Sequence, residues 1–260
     1  MNHPMYKIEI KAFLCSIEIE VNDIPCFSYY NEPQIATDIP INNLLFNSGR
    51  QNVKFRITPL FENKTFNKES KIELNIYVKD ANDFYLKKQL IKSYTNNETL
   101  QEKSFFESAL VFEAILPYTI EHSFINYSFF SESKDHLLLE VYKQYEILAA
   151  FIIKNDLKNY NDFTKIRFND FATAHYLDEI KRNYYLNKAL DSFEGHNLNL
   201  ISIREYTLKF CYNGKLVYLE KMRNSPGLIL EDVNSNEEQL HFIESAIFYR
   251  NNAGKLLLFR

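Results

Sequence analysis

The sequence predicts an α+β protein with an N-terminal antiparallel β-sandwich in residues 1–132 and a domain of helices and an antiparallel β-meander in residues 133–260. In the first region, apolar and polar residues alternate with a period of two, which is typical of strands with one buried and one solvated face. A long helical pattern follows at residues 133–154, and the alternation returns after residue 198. Helices followed by a run of antiparallel strands indicate the α+β class.

The strands of the first region are separated by residues that favour turns. Asn22-Asp23 and Asn47-Ser48-Gly49 are two of these breaks. The pattern at residues 83–92 also allows a short helix at an edge of the sandwich. The alternating segments are residues 6–10, 17–21, 53–57, 72–78 and 110–116.

An aromatic connector, residues 118–130, joins the two regions. Large exposed apolar patches are uncommon on soluble proteins, so its aromatic residues are expected to seal the seam between the domains. The alternative is that they form an exposed patch for a partner. The residues concerned are Phe124, Tyr127, Phe129 and Phe130.

The central helix is predicted over residues 133–154. Ser133 is suited to the N-cap and Asp135 to the first turn, where the helix dipole favours a carboxylate. The second half is apolar on nearly all sides, which predicts a helix buried on nearly all sides, with sheets packed against it. Its unbroken apolar run, residues 147–153, is far shorter than the ~20 residues of a membrane span. Asn155-Asp156 is expected to end it.

The second region then predicts two more helices, at residues 161–176 and 178–192, and an antiparallel sheet over residues 198–260. Alternation at residues 206–212 leads into Asn213-Gly214, a strong signal for a type I′ hairpin. The return strand, residues 216–222, is followed by further strands at residues 228–230, 240–249 and 256–259.

This order of helices and then a long antiparallel sheet resembles the NTF2-like cone fold, over about the second half of the chain. The resemblance implies a pocket inside the curved sheet, in a family that contains isomerases, dehydratases and pure binding modules. Acid–base chemistry there would need Asp170 or His175 to face the interior together with Tyr206 or Tyr218. His241, on a strand, would be a further pocket residue. The alternative is that Asp170 lies on a helix surface and His175 is a hydrogen-bonded structural residue.

Composition excludes several classes of function. The net charge of -4 and a pI near 5.9 leave no electrostatic footprint for nucleic acid. Cys15, Cys26 and Cys211 form no CxxC pair, which disfavours a zinc site or a disulfide framework. Cys15 and Cys26 could pair across neighbouring strands, but buried free thiols are expected. The N-terminus lacks a signal-peptide pattern, so the chain is expected to be cytoplasmic as written, although an exported protein without its leader would look the same.

No catalytic motif is present. The sequence lacks phosphate-binding glycine loops, the HExxH and GxSxG motifs, and an EF-hand. The six histidines are scattered, and none has a second histidine at the spacing of metal ligands. We therefore expect no catalytic residues, no metal and no cofactor.

Two surface segments are candidate contacts for a protein partner. The first is an acidic loop that would attract a basic partner, or would simply be solvated; it contains Glu231, Asp232, Glu237 and Glu238. The second lies at an early turn and contains Tyr29, Tyr30 and Glu32.

These expectations favour a non-enzymatic protein-binding module. Its most concrete form is a bacterial immunity protein that occludes a cognate toxin, because the composition is of an AT-rich bacterial type and the chain looks similar to such immunity proteins. The alternatives are a small-ligand carrier or enzyme that uses the cone pocket, and a structural adaptor of a bacterial assembly. The sequence leaves the partner's identity and the oligomeric state open.

Overall fold

The computed structural model describes residues 1–30, 32–60, 63–83, 85, 87–96, 100–121, 130–234 and 241–260. The fold is α+β: the sheets are antiparallel, and the α-helices of the described residues lie in the middle of the chain. The chain divides into two compact units. The first unit contains Met1–Glu121 and Thr173–Tyr176, and the second contains His122–Ala172 and Leu177–Arg260.

The first unit contains eight strands in its described residues. They form a first sheet of order β4-β1-β6-β7 and a second sheet of order β3-β2-β5-β8. All neighbouring strands are antiparallel. In chain order the strands are β1 (Pro4–Phe13), β2 (Cys15–Val21), β3 (Ile24–Tyr29), β4 (Gln34–Pro40), β5 (Gly49–Pro59), β6 (Lys71–Asp80), β7 (Gln89–Thr95) and β8 (Phe106–Ala114).

The two sheets of the first unit pack their apolar faces together. Alternate residues such as Ile8 and Ile10 on β1 and Val53 and Ile57 on β5 are completely buried. Across the interface, the ring of Phe55 on β5 lies 4.8 Å from that of Tyr94 on β7. The apolar residues of the period-two alternation in the sequence are therefore the residues that form this core. The short helix considered at residues 83–92 is wrong, because β7 begins at Gln89 and pairs with β6.

The cysteines are free thiols, so the alternative of a Cys15–Cys26 disulfide is wrong. Cys15 and Cys211 are buried, and Cys26 is half-buried. Burial raises the pKa of the Cys15 thiol to about 11, which keeps it protonated and unreactive at neutral pH.

Four α-helices follow in the described part of the chain. They are α1 (Lys134–Ile153), α2 (Leu157–Phe163), α3 (Lys165–Ala174) and α4 (Glu179–Asn187). At the start of α1, Ser133 accepts a hydrogen bond from the backbone N–H of His136. Asn155, with φ of 51°, ends the helical path.

Helix α1 is buried on one face only, so the prediction of burial on nearly all sides is wrong. Its buried residues are spaced along a single stripe, whereas Leu139, Ile147 and Ile153 are exposed. The apolar residues of this helix outnumber the positions that one helix–sheet contact can cover. The buried stripe consists of Leu137, Val141, Tyr145, Leu148, Ala149 and Ile152.

The helix predicted at residues 161–176 is instead two helices, α2 and α3, that meet at Thr164. The Thr164 hydroxyl donates a hydrogen bond to the carbonyl of Tyr160, 2.9 Å away, and its backbone N–H bonds to the same carbonyl. Such a local side-chain bond competes with regular helix geometry. The helix predicted at residues 178–192 ends earlier, at Asn187, and a 3₁₀ turn at Asp191–Phe193 follows it.

The strands of the second unit form two sheets rather than the single meander that the sequence predicts. The sheet orders are β10-β11-β14-β15 and β13-β12-β9. Residues 240–249, predicted as one strand, are divided between β13 and β14, which belong to different sheets. The strands are β9 (Leu198–Leu200), β10 (Tyr206–Cys211), β11 (Leu216–Lys221), β12 (Leu228–Asp232), β13 (His241–Glu244), β14 (Ile247–Arg250) and β15 (Leu256–Leu258).

The hairpin between β10 and β11 has a four-residue loop, not the two-residue turn expected at Asn213-Gly214. Tyr212, Asn213 and Gly214 all have positive φ, at 51°, 54° and 77°. Asn and Gly adopt this conformation readily, so their presence marks the turn correctly although it begins one residue earlier.

The core of the second unit is built around Tyr145 on α1. This side chain is completely buried, and its hydroxyl accepts a hydrogen bond from Leu219 N–H at 3.1 Å and donates one to the carbonyl of Ala246 at 3.0 Å. Its ring packs edge-on against Tyr206, with centroids 5.6 Å apart. One helical tyrosine thereby satisfies backbone groups next to β14 and on β11 inside an apolar core.

Candidate functional site

The outward side of the second sheet in the first unit is the best candidate for a functional surface. We call the solvent-facing side chains of β2, β5 and β8 the outer face. A depression of about 490 Å³ lies on it, lined by Glu18, Glu20, Lys54, Phe55, Arg56, Glu107, Ser108 and Ala109. The strands hold these residues in fixed register, because Glu18 lies opposite Arg56 and Arg56 opposite Glu107.

Cross-strand polar contacts organise the outer face. Arg56 Nε lies 3.4 Å from Glu107 Oε1, and Lys54 Nζ lies 3.0 Å from Asp23 Oδ1 in the β2–β3 turn. The hydroxyl of Tyr30 donates a hydrogen bond of 3.0 Å to Glu18. These pairs are solvent-accessible, so each adds little to stability, but together they fix the positions of the charges.

An exposed aromatic residue borders the depression. Phe105, immediately before β8, is 50% exposed, and the guanidinium of Arg56 lies 5.3 Å from the centre of its ring. A half-exposed ring beside a planar cation is the kind of group that is enriched in the cores of protein interfaces.

Glu20 is a half-buried carboxylate of the outer face. Burial, and then the negative charge of Asp23, raise the pKa of Glu20, while Lys54 acts in the opposite direction. A cationic group from a partner would stabilise this carboxylate in its ionised form.

The outer face carries an excess of negative charge. The outward positions of β2, β5 and β8 hold four carboxylates, Glu18, Glu20, Glu107 and Glu113, against the basic residues Arg50, Lys54 and Arg56. Asp23 in the adjoining turn adds a fifth carboxylate. This surface is therefore complementary to a basic one.

The predicted turn candidates lie at the margin of this surface. Tyr30 contacts Glu18 of the outer face, as described above. Tyr29 is half-buried and donates a hydrogen bond of 3.3 Å to the carbonyl of Gln34, and Glu32 is exposed. The structure thus connects Tyr30 to the outer face and uses Tyr29 within the β3–β4 connection.

The predicted acidic loop lies in the second unit, where histidines partner two of its carboxylates. Nδ1 of His196 lies 2.7 Å from Asp232 Oδ2, and Nε2 of His241 lies 3.2 Å from Glu231 Oε1. The hydrogen bond from His196, followed by backbone N–H groups, lowers the pKa of Asp232. Glu237 and Glu238 lie outside the described residues, as do Phe124, Tyr127 and Phe129 of the aromatic connector.

The five predicted pocket residues have different surroundings. Tyr206 and Tyr218 are buried, and the Tyr206 hydroxyl accepts a hydrogen bond of 2.8 Å from Ile229 N–H. His241 pairs with Glu231, as above. Asp170 is half-buried on α3, where burial raises its pKa to about 7, and His175, just beyond α3, has its pKa lowered to about 4 by burial. His175 belongs to the first unit and the other four to the second.

Even-numbered residues of β10 lie near aromatic side chains of the second unit. Tyr206 contacts Tyr142 and Tyr145 of α1, and Leu208 packs against the same core. Phe210 lies 6.0 Å from Phe130, which belonged to the predicted aromatic connector. Side chains of α1 thus cover Tyr206 on this face, whereas Phe210 is 39% exposed.

A second depression, of about 610 Å³, lies at one end of the first sheet, where Lys11, Lys68 and Lys71 line it together with Phe13 and Leu100. Lys11 is already paired with Glu73, at 2.9 Å. Within the described ranges, no group of three or more His, Cys, Asp or Glu side chains is placed to hold a metal ion. No helix in those ranges combines the length and hydrophobicity that a membrane span requires.

The outer face was not singled out from the sequence. Its residues appear there only as the polar half of the period-two pattern, for example Glu18 and Glu20 between Ile17, Ile19 and Val21. Identifying this surface requires the strand pairing, which places residue 18 beside residue 56 and residue 56 beside residue 107. The local alternation of apolar and polar residues does not indicate which strands pair.

No family model matches the chain, and no curated protein or solved structure is significantly similar to it.

Proposed function

We propose that this protein is a non-enzymatic protein-binding module, most concretely a bacterial immunity protein that neutralises a cognate toxin by occluding the toxin's active site. The observation that carries this proposal is the depression on the outer face, about 490 Å³, lined by charged side chains on three paired strands. The NTF2-like resemblance of the second unit is a proposal of fold alone.

The chemistry of the outer face favours a basic partner. Rigid strands present the carboxylates, so a partner's Lys and Arg side chains meet them without a large ordering cost. Complementary charge of this kind accelerates encounter and fixes orientation more than it adds affinity. Phe105 supplies an apolar anchor at the rim, where its half-exposed ring loses solvent contact on binding.

Neutralisation by occlusion requires only a stable surface that is complementary to the toxin. A specific complex of ordinary size buries about 800 Å² on each partner, which is more than the depression alone provides. The contact would therefore extend over neighbouring strands of the second sheet, and it would block a toxin whose active site is itself basic, as in enzymes that act on polyanions.

The test begins with capture of partners from the native cell, using the intact protein as bait, and identification of a basic protein among them. That protein is then produced in a sensitive host with and without this chain. We expect its toxicity to disappear on co-expression. A captured partner that stays fully toxic beside saturating amounts of this protein would contradict the proposal.

Matched charge reversals locate the surface. Glu18→Lys combined with Glu20→Lys reverses two carboxylates of the outer face, and we expect affinity for the partner to fall at least about tenfold. Asp38→Lys combined with Glu73→Lys reverses two carboxylates of the first sheet and should leave affinity within about twofold. Equal loss in both variants, or none in the first, would place the contact elsewhere.

A further inference from the structure

Strand β8 ends the second sheet within the described part of the chain, in the order β3-β2-β5-β8. It pairs with β5 along its nine residues with no shift of register. Its sequence, FESALVFEA, contains neither proline nor a basic residue. Long, regular edge strands of this kind are templates for another strand, and proteins usually protect them.

The other edges of the first unit carry such protection. The pairing of β3 with β2 is interrupted between Ile19 and Glu20, and the pairing of β7 with β6 is interrupted between Ile76 and Tyr77. Strand β4 ends at Pro40, and its Asp38 is held by Lys7 at 2.6 Å. Bulges and proline disfavour the addition of a further strand, and within the described residues β8 carries neither.

Hydrogen bonds at the β2–β3 turn show which backbone groups of β8 face outward. Asn22 N–H donates to the carbonyl of Asn52 at 2.8 Å, and Asn52 N–H donates to Asn22 Oδ1 at 3.0 Å. The backbone of Asn52 therefore faces β2. Because alternate residues of a strand direct their backbone groups to opposite sides, Val53 and Phe55 bond to β8.

The same alternation continues on β8. Leu110 and Ser108, the partners of Val53 and Phe55, direct their N–H and C=O groups toward β5. The outward-facing groups then belong to Glu107, Ala109, Val111 and Glu113, which are all exposed. Their side chains lie on the solvent side of the sheet, continuous with the outer face.

We infer that β8 receives an extended segment of a partner protein as an additional strand, and that this segment carries basic residues opposite Glu107 and Glu113 with apolar β-branched residues between them. The inference rests on the proposed protein-binding function and names its backbone contact. Ala109 and Val111, the latter 37% exposed, lie between the two carboxylates and offer the apolar middle of the contact.

Charge also disfavours the fully overlapped pairing of β8 with a second copy of this chain. Antiparallel pairing of β8 with itself, centred on Leu110, would place Glu107 of each copy opposite Glu113 of the other. Like charges directly opposite are destabilising, whereas opposite charges at those positions are favourable. The two glutamates thus favour pairing with a basic strand and disfavour self-association in that register.

The probe is a labelled, end-capped peptide, Lys-Thr-Val-Thr-Val-Thr-Lys, whose lysines and valines fall on one face of an extended strand. Ala109→Pro removes an outward N–H of β8 and leaves the bonds to β5 in place. Ala36→Pro is its control. Ile41 N–H bonds to the carbonyl of Tyr6 on β1, so alternation directs the N–H of Ala36 to the free side of β4.

We expect the wild-type protein and Ala36→Pro to bind the peptide equally, and Ala109→Pro to bind it at least about tenfold more weakly. Amide hydrogen exchange should be fast at Ala109 and Val111 in the isolated protein and slow once peptide is added. Protection of these two amides without peptide would overturn the inference, because the edge would already be occupied. Failure of the wild-type protein to bind, or equal binding by all three proteins, would also overturn it.

A charge swap keeps the inference testable if Ala109→Pro does not fold. Glu107→Lys combined with Glu113→Lys should lose the lysine peptide and gain its glutamate counterpart, Glu-Thr-Val-Thr-Val-Thr-Glu. The outcome is separable from that of the proposed function. If Ala109→Pro still neutralises the captured toxin while Glu18→Lys/Glu20→Lys does not, the outer face binds the partner and strand addition is wrong.

Discussion

Arg167 on α3 and Glu244 at the end of β13 form a largely buried ion pair, with 2.6 Å between Nη2 and Oε1 and side-chain exposures of 20% and 16%. Tyr160 on α2 joins them, since its hydroxyl donates to Glu244 at 2.7 Å and accepts from Arg167 at 2.8 Å. Arg167 also donates to the carbonyl of Ser245 at 2.8 Å. The network therefore ties two helices to the point where the chain leaves one sheet for the other.

Removal of the charge of Glu244 should destabilise the second unit strongly. Glu244→Gln leaves the Arg167 guanidinium partly buried without its counterion, and we expect the free energy of unfolding to fall by about 3 kcal/mol. Asp191→Asn is the control, because the Lys188–Asp191 pair is equally short, at 2.6 Å, but about half exposed (54% and 48%). Asp191→Asn should lower the free energy of unfolding by less than about 1 kcal/mol. Urea titration of both variants and the wild type measures these differences. If both variants lost the same free energy of unfolding, burial of the Arg167–Glu244 pair would not affect how much the pair contributes to stability.

Gly227 should tolerate no side chain. A Cβ atom there would overlap the carbonyl oxygen of Glu244, and φ is +139°, a conformation that L residues rarely adopt. We expect Gly227→Ala to lower the free energy of unfolding by more than about 2 kcal/mol. Gly254→Ala tests positive φ without the close contact, since φ is +76° and nothing lies within 4 Å of its Cβ, and should cost about 1 kcal/mol. If thermal unfolding ranked the two variants in reverse order, the contact with Glu244 would not be the limiting factor.

Asn42 should be essential to the first unit, because its buried side chain satisfies backbone groups of that unit. Its amide accepts from Tyr6 N–H at 2.7 Å and donates to the carbonyls of Pro4 and Ala174 at 2.8 and 3.1 Å, and the residue is completely buried. Asn42→Ala should cost about 2–3 kcal/mol, since Tyr6 N–H loses its partner. The adjacent half-buried Asn43 provides the comparison. Asn43→Ala should change the free energy of unfolding, measured by chemical denaturation, by less than about 1 kcal/mol. Equal sensitivity at both positions would remove the special role of Asn42.

The sequence predicted the first unit better than the second for a physical reason. Strands such as β1 and β5 have one solvated face, so Ile8, Ile10, Val53 and Ile57 stand out against polar neighbours. Where residues 240–249 divide into β13 and β14, Arg167 bonds to the carbonyl of Ser245 and the backbone of Gly227 closely approaches that of Glu244. Local periodicity carries no information about such contacts, which is why one strand was predicted.

The candidate surface was harder to predict for a related reason. The alternation identified Glu18, Lys54 and Glu107 as solvent-facing, but it did not indicate that they are neighbours. Their proximity follows from the order β2-β5-β8, in which the two strand pairs join segments far apart in the chain. Among the predicted turn residues, Tyr30 is connected to this surface by hydrogen bonds with Glu18 and Ser16 of β2.

Asp170 should make stability depend on pH. Burial raises its pKa from 3.8 to about 7, so between these values the folded state holds a proton that the unfolded state has lost. Stability contributed by this group is therefore complete below about pH 3.8, falls as the pH rises, and is lost above about pH 7. Asp170→Asn removes the titration of this carboxyl. The variant should therefore match the wild type in free energy of unfolding near pH 3.5 and exceed it at pH 8. Burial of His175 lowers its pKa from 6.5 to about 4, so this group makes the free energy of unfolding rise with pH between pH 4 and 6.5. The test is therefore the difference in free energy of unfolding between variant and wild type at each pH. Urea titrations at pH 3.5, 5.5 and 8 measure that difference, and a value that does not grow with pH would mean that Asp170 is ionised in the folded protein at its ordinary pKa.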